Sequence, residues 1–153
     1  MIVVSDTSAI TSLLQIGRVE LLAKLYEEVV IPEAVECELR HDHLTLPEFI
    51  RVDRAKNVLL IQRLTLELDR GEAEAIALMV EHRGDVLLID ERRGRRVAER
   101  EGVPVIGLLG VLTKAKRADL IASLSDTVND LQRLAGFRVS DRLKARLRVE
   151  SGE

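Results

Sequence analysis

Cysteine is almost absent. Cys37 stands alone among 153 residues, so neither a disulfide framework nor a cysteine zinc site can form within the chain. Aromatic side chains are nearly as scarce: Tyr26, Phe49 and Phe137 are the full set, and Trp is missing. The core is therefore aliphatic, and the shortage argues against an exposed ring platform of the RRM or OB type. No apolar run approaches the ~18 residues needed to span a bilayer. Met1 to Asp6 carries no basic segment of the signal-peptide kind. The expectation is a cytoplasmic protein with no membrane partner. A basic surplus is also lacking: 26 acids against 23 Lys and Arg leave a net charge of −3. Bulk charge does not advertise nucleic acid, so the charges must be read by position.

What is there suffices for a real core. Apolar residues make up 46% of a chain long enough for one domain, expected to span 1–153. The stretch from Leu68 to Gly107 reads as helix, strand, helix, strand. Ala73, Ile76, Ala77 and Val80 recur at helical spacing, and Gly84 stops them. Val86 to Ile89 is an apolar run of the kind buried on both faces. Val97 and Ala98 give the next helix an apolar side, and Val105-Ile106 forms another buried strand. A crossover helix between two strands makes them parallel, with a right-handed connection.

Around that unit the chain repeats the pattern. Ile2 to Val4 is a strand, followed by Asp6-Thr7-Ser8, all helix-capping types, and a stripe of Ala9, Ile10, Leu13 and Leu14. Asp6 reads either as the cap or, if Thr7 or Ser8 caps instead, as a free carboxylate at a strand end. A short helix over 19–25 leads to a strand at Val29 to Ile31, and Pro32 suits the first turn of a helix running to about Arg40. His41-Asp42-His43 then reads as a polar helix exit rather than a metal site, which would need convergent ligands. An edge strand lies within 46–53, and a helix follows Asn57. Apolar rows continue over 107–118 and 120–134, and a basic helix over 140–149 follows. The fold class is therefore α/β, a three-layer α/β/α sandwich on a parallel five-stranded sheet of order 3-2-1-4-5. The rows after Gly17 and Gly107 exceed what one small sheet must cover, so a homodimer is expected.

With the first strand central, Asp6 and Asp90 leave adjacent strands at the carboxyl edge, where open α/β sheets place ligands. Glu38 follows a strand on the same edge. Glu72 and Glu74 open the helix after Asp69-Arg70-Gly71. They point about 200° apart around the axis, and periodicity does not choose between them. Several carboxylates in one pocket repel unless a cation enters. All-oxygen donors suit Mg2+ or Mn2+, ions that assist phosphoryl transfer. Arg92, Arg93, Arg95 and Arg96 follow Asp90 and offer partners to substrate phosphates. The alternative is a solvated helix face paired with Glu91 and Glu99. A receiver domain fits worse, lacking an acidic pair after the first strand. A dehalogenase-type phosphatase lacks its second Asp.

Four segments in order carry a resemblance: V-V-S-D-T-S at 3–8, V-I-P-E-A-V-E-C-E-L at 30–39, L-D-R-G-E-A-E-A-I-A-L at 68–78 and L-L-I-D-E-R-R-G-R-R-V-A at 87–98. G-V-L-T-K-A-K at 110–116 and G-F-R-V-S at 136–140 extend it. The chain resembles PIN-domain proteins of the VapC-like ribonuclease group over nearly its whole length. The resemblance implies a catalytic and metal-binding quartet of Asp6, Glu38, Glu74 and Asp90, with Glu72 and Glu91 as substitutes and Thr7 and Ser8 in support. It implies Mg2+ or Mn2+ and cleavage of single-stranded RNA, with Arg92, Arg93 and Arg96 on the phosphates. A toxin role with a small antitoxin partner belongs to the same expectation. A non-catalytic module binding RNA or a protein is the other class it allows. Asp119 stands where the group leads one to expect Gly.

Overall fold

The computed structural model describes residues 1–43 and 45–153. Five strands, β1 (Ile2–Ser5), β2 (Glu28–Pro32), β3 (Ile50–Asp53), β4 (Val86–Leu88) and β5 (Val105–Ile106), form one sheet of order β3-β2-β1-β4-β5. Every pairing is parallel, with Val4 opposite Val30 on one side and Leu87 on the other. The helices are α1 (Thr7–Gln15), α2 (Glu20–Leu25), α3 (Glu33–Asp42), α4 (Val58–Leu64) and α5 (Arg70–Val80), then α6 (Arg92–Arg100), α7 (Leu108–Arg117), α8 (Leu124–Ala135) and α9 (Asp141–Glu150).

The strands read as continuous apolar runs because both sheet faces are covered. Successive residues alternate between two cores. Val3, Val29, Ile31 and Leu88 join a layer with α1, α2, α3, α7 and α8. Val4, Val30, Leu87 and Ile89 join a layer with α4, α5 and α6. Truncating a fully buried Leu88 to Ala would cost roughly 2–5 kcal/mol, on either face alike.

The aliphatic rows expected to leave surface for a second copy are used inside the chain. Leu21 and Leu22 of α2 and Leu108, Val111 and Leu112 of α7 lie in the first core. That basis for a homodimer is corrected. The large exposed apolar side chains are Met1, Val58, Leu59, Leu66, Leu134 and Val149. At the end of α7, Asp119 takes the left-handed conformation expected of Gly, with φ +57°. Its N–H donates to Lys116 O and the Leu120 N–H to Ala115 O, closing the helix by backbone alone. No helix among the described residues is long and apolar enough to cross a membrane.

Candidate active site

Because β1 pairs with β4, Asp6 and Asp90 leave neighbouring strands at one edge. The Asp6 N–H donates to Leu88 O at 3.2 Å. Asp6 is 3% exposed. Its Oδ1 accepts the Ala9 N–H at 3.1 Å and its Oδ2 the Ser8 hydroxyl at 3.3 Å. Asp6 therefore caps α1 itself, the first of its two readings from the sequence. Ser8 orients Asp6, while the buried Thr7 Oγ1 has no partner. Burial lifts the Asp6 carboxyl from 3.8 to about 7. The Ala9 N–H opposes that rise and the Asp90 charge adds to it. Asp90 Oδ1 accepts the Leu108 N–H at 3.0 Å and so covers the start of α7. Its Oδ2 is buried without a partner. Burial raises this carboxyl too, against the Leu108 N–H and the Arg95 guanidinium.

Helix α5 decides what periodicity left open. Asp69 is its N-cap, with Oδ1 accepting the Glu72 N–H at 2.9 Å. Glu72 is 7% exposed and faces the same cavity as Asp6. Its Oε2 is buried without a partner. Burial, then the charges of Asp69 and Glu91, push its carboxyl up to about 7. Glu74 is turned away. Its Oε1 accepts the Ala34 N–H at 3.1 Å, closing the start of α3, and its Oε2 takes Arg70 Nε at 2.6 Å. The expectation that Glu74 joins Asp6, Glu38 and Asp90 is corrected. Residues two apart on a helix point about 200° apart, and Glu72 is the one that faces the acidic cavity.

Asp6, Glu38, Asp69, Glu72 and Glu91 line one cavity of about 420 Å3 beside Ser8 and Ser12. None of its lining side chains is basic. Asp90 opens instead on a second cavity of about 690 Å3, which shares Ser8, Ser12, Glu91 and Ala135 with the first. Glycines set the close approach of the walls. A Cβ at Gly71 would lie 2.8 Å from Glu38 Oε1, and one at Gly94 would lie 2.6 Å from Glu72 Oε2. One at Gly107 would lie 2.9 Å from Asp90 Oδ1. The elements here rest on carboxylate oxygens.

Arg92 and Arg96 line a third cavity, of about 330 Å3, with Asp90 and Arg95. Arg93 is not among its walls. Its charge acts instead on Glu67, whose carboxyl is lowered first by its hydrogen bond to Arg100 and also by Arg93. One step along a helix turns a side chain by about 100°, so Arg95 takes the position expected of Arg93. Among the described residues, no group of three or more His, Cys, Asp and Glu is gathered at ligating distance. The four acids therefore do not converge as tightly as expected. The donor chemistry nonetheless fits a hard divalent ion: oxygens only, two of them buried without a partner. Sequence reasoning missed Asp69, which it read as a helix break. The D-x-x-E spacing to Glu72 is a helix-start signature that would have found it.

A family model described as a PIN domain matches residues 2–153. Searches of curated proteins and of solved structures return no significant match.

Proposed function

Because the chain belongs to the PIN-domain family, a fold of the nuclease type, we propose that residues 1–153 act as one domain hydrolysing single-stranded RNA, with Mg2+ or Mn2+ as cofactor. One observation carries the reading: a cavity with five carboxylates and no basic side chain, at the carboxyl edge of a parallel sheet. Acids collected without a counter-charge destabilise a fold unless a cation joins them.

Asp6 and Glu72, with Asp90 and Glu38, would hold the ion, and Asp69 and Glu91 would add negative potential. A divalent ion supplies Lewis-acid activation of water and of the phosphoryl oxygen. Ser8 and the Ala9 N–H keep Asp6 aimed while its charge state changes. In the metal-free protein burial raises the Asp6 and Glu72 carboxyls to about 7, so an entering cation would displace their protons. Arg92 and Arg96 would hold flanking phosphates. Glu74 would hold α3 against α5 and stay outside the chemistry.

The reading extends to the cytoplasmic toxin of a toxin–antitoxin pair. A small antitoxin, or a second copy, would find apolar surface at Leu59 and Leu66, which are 79% and 84% exposed. The test is cleavage of a labelled single-stranded RNA with Mn2+, with EDTA, and by Asp6→Asn. Cleavage is expected only in the first case. The spread of the acids favours one alternative, a non-catalytic RNA-binding module. Retained RNA affinity with no cleavage under any metal would establish it.

A further inference from the structure

The cavities join in a line. The acidic one shares four walls with the 690 Å3 cavity, and that one shares Asp90 and Arg92 with the arginine-lined one. The acidic and arginine-lined ends share none. The middle cavity is of ligand-cleft size, within ~300–1,000 Å3. Its far wall is Phe137 and Arg138. These follow α8, where Gly136 turns the chain with φ +66°. The Phe137 N–H then donates to Leu131 O at 3.1 Å, and Gln132 Nε2 donates to Val139 O at 3.1 Å. Both sides of this two-residue wall are thus tied to α8.

Phe137 is half-buried, one side packed on the first core and the other on the cavity. Tyr26 is buried and Phe49 packs on the core beside β3, so Phe137 is the aromatic beside the acids. Arg92 and Arg138 are exposed and form no ion pair among the described residues. An aromatic ring and two unpaired guanidinium groups lining one cavity are the chemistry of a nucleotide site: a base against the ring and phosphates on the cations.

We propose that Phe137 and Arg138 form a nucleotide subsite beside the acids, with Phe137 stacking on the base next to the scissile phosphate and Arg138 and Arg92 holding the phosphates that flank it. The subsite rests on the RNA-cleaving reading and gives its single-strand preference a physical cause in one side chain. One ring grips one nucleotide, so duplex RNA, whose bases are already stacked, fits it poorly.

The experiment measures binding of a short fluorescein-labelled single-stranded RNA, and of a base-free ribose-phosphate oligomer of equal length, in the Asp6→Asn background with Mg2+. Phe137→Leu should weaken RNA binding by roughly 5- to 100-fold, the loss of one base stack, and leave the base-free oligomer unaffected. Phe137→Tyr should bind RNA as the parent does. Arg138→Gln should weaken both ligands and flatten the salt slope by about 0.7. Equal loss on both ligands for Phe137→Leu would reduce the ring to a packing role and overturn the subsite. So would unchanged RNA affinity. Failure of the background protein itself to bind RNA would instead overturn the RNA reading, and the subsite with it.

Discussion

Replacing Asp6 by Asn separates what its charge costs from what its geometry contributes. The geometry survives: an amide oxygen accepts the Ala9 N–H as the carboxylate does, and Asn caps helices about as well as Asp. The charge does not. In the folded protein the carboxyl stands at about 7 against an ordinary 3.8. The native state therefore binds its proton more tightly than the unfolded chain. Stability is highest below the unfolded value, falls as pH rises between the two, and is flat above the folded value. Each pH unit of that gap is worth about 1.4 kcal/mol, so the full effect is on the order of 4 kcal/mol for a side chain this buried. The variant lacks the term. In urea denaturation with EDTA, its advantage over the parent should open between about pH 4 and 7 and level off by about pH 8. Titrating groups distant from Asp6 cancel in the difference, while Asp90 and Asp69, whose charges act on it, do not. Parallel curves across that range, or a variant less stable at pH 8, would refute the idea that Asp6 is buried at the expense of its charge. Added Mn2+ should then stabilise the parent more than the variant.

Glu72→Gln should abolish that Mn2+ stabilisation, while Glu74→Ala keeps it and loses about 1–3 kcal/mol through the unpaired Ala34 N–H and Arg70. The opposite pattern in thermal melts would return Glu74 to the acid set. Arg92→Gln with Arg96→Gln should lower the salt slope of RNA binding by about 1.4, whereas Arg93→Gln leaves it unchanged. Asp119→Gly should raise stability by about 0.5–1 kcal/mol, because a left-handed φ of +57° carries no penalty for glycine. A lower melting temperature would contradict it.

The sheet order could be read from the chain because each strand is apolar on both faces and the crossovers allow few topologies. The adjacent placement of Asp6 and Asp90 was legible for the same reason: they follow neighbouring strands at the switch point. Glu72 was not. Every residue of α5 from Gly71 to Met79 is buried, so the helix has no solvent face from which to phase its acids. Resemblance supplied Glu74 instead, and the Arg70 and Ala34 contacts overrule it. Phe137 gave no signal as a site residue, since half of its ring serves the core. Asp6 was framed as cap or site residue, whereas the two are compatible: its Oδ1 caps α1 while the residue lines the acidic cavity.

The central place of β1 also governs how the acids meet in time. Val4 pairs with Leu87, and the Ile2 N–H donates to Asp85 across 83 residues at 2.7 Å. Closing a loop of that length costs about 4 kcal/mol of chain entropy before the ladder returns anything. The β1–β2 and β2–β3 pairs close shorter loops and are free to form first. Asp6 is then left at an open edge, hydrated and charged at no expense, until β4 docks. If β4 docks after the folding barrier, the desolvation of Asp6 falls on its native side, and the charge speeds unfolding more than it slows folding. A cation that neutralises it would lengthen the life of the folded state and leave the search for that state unchanged.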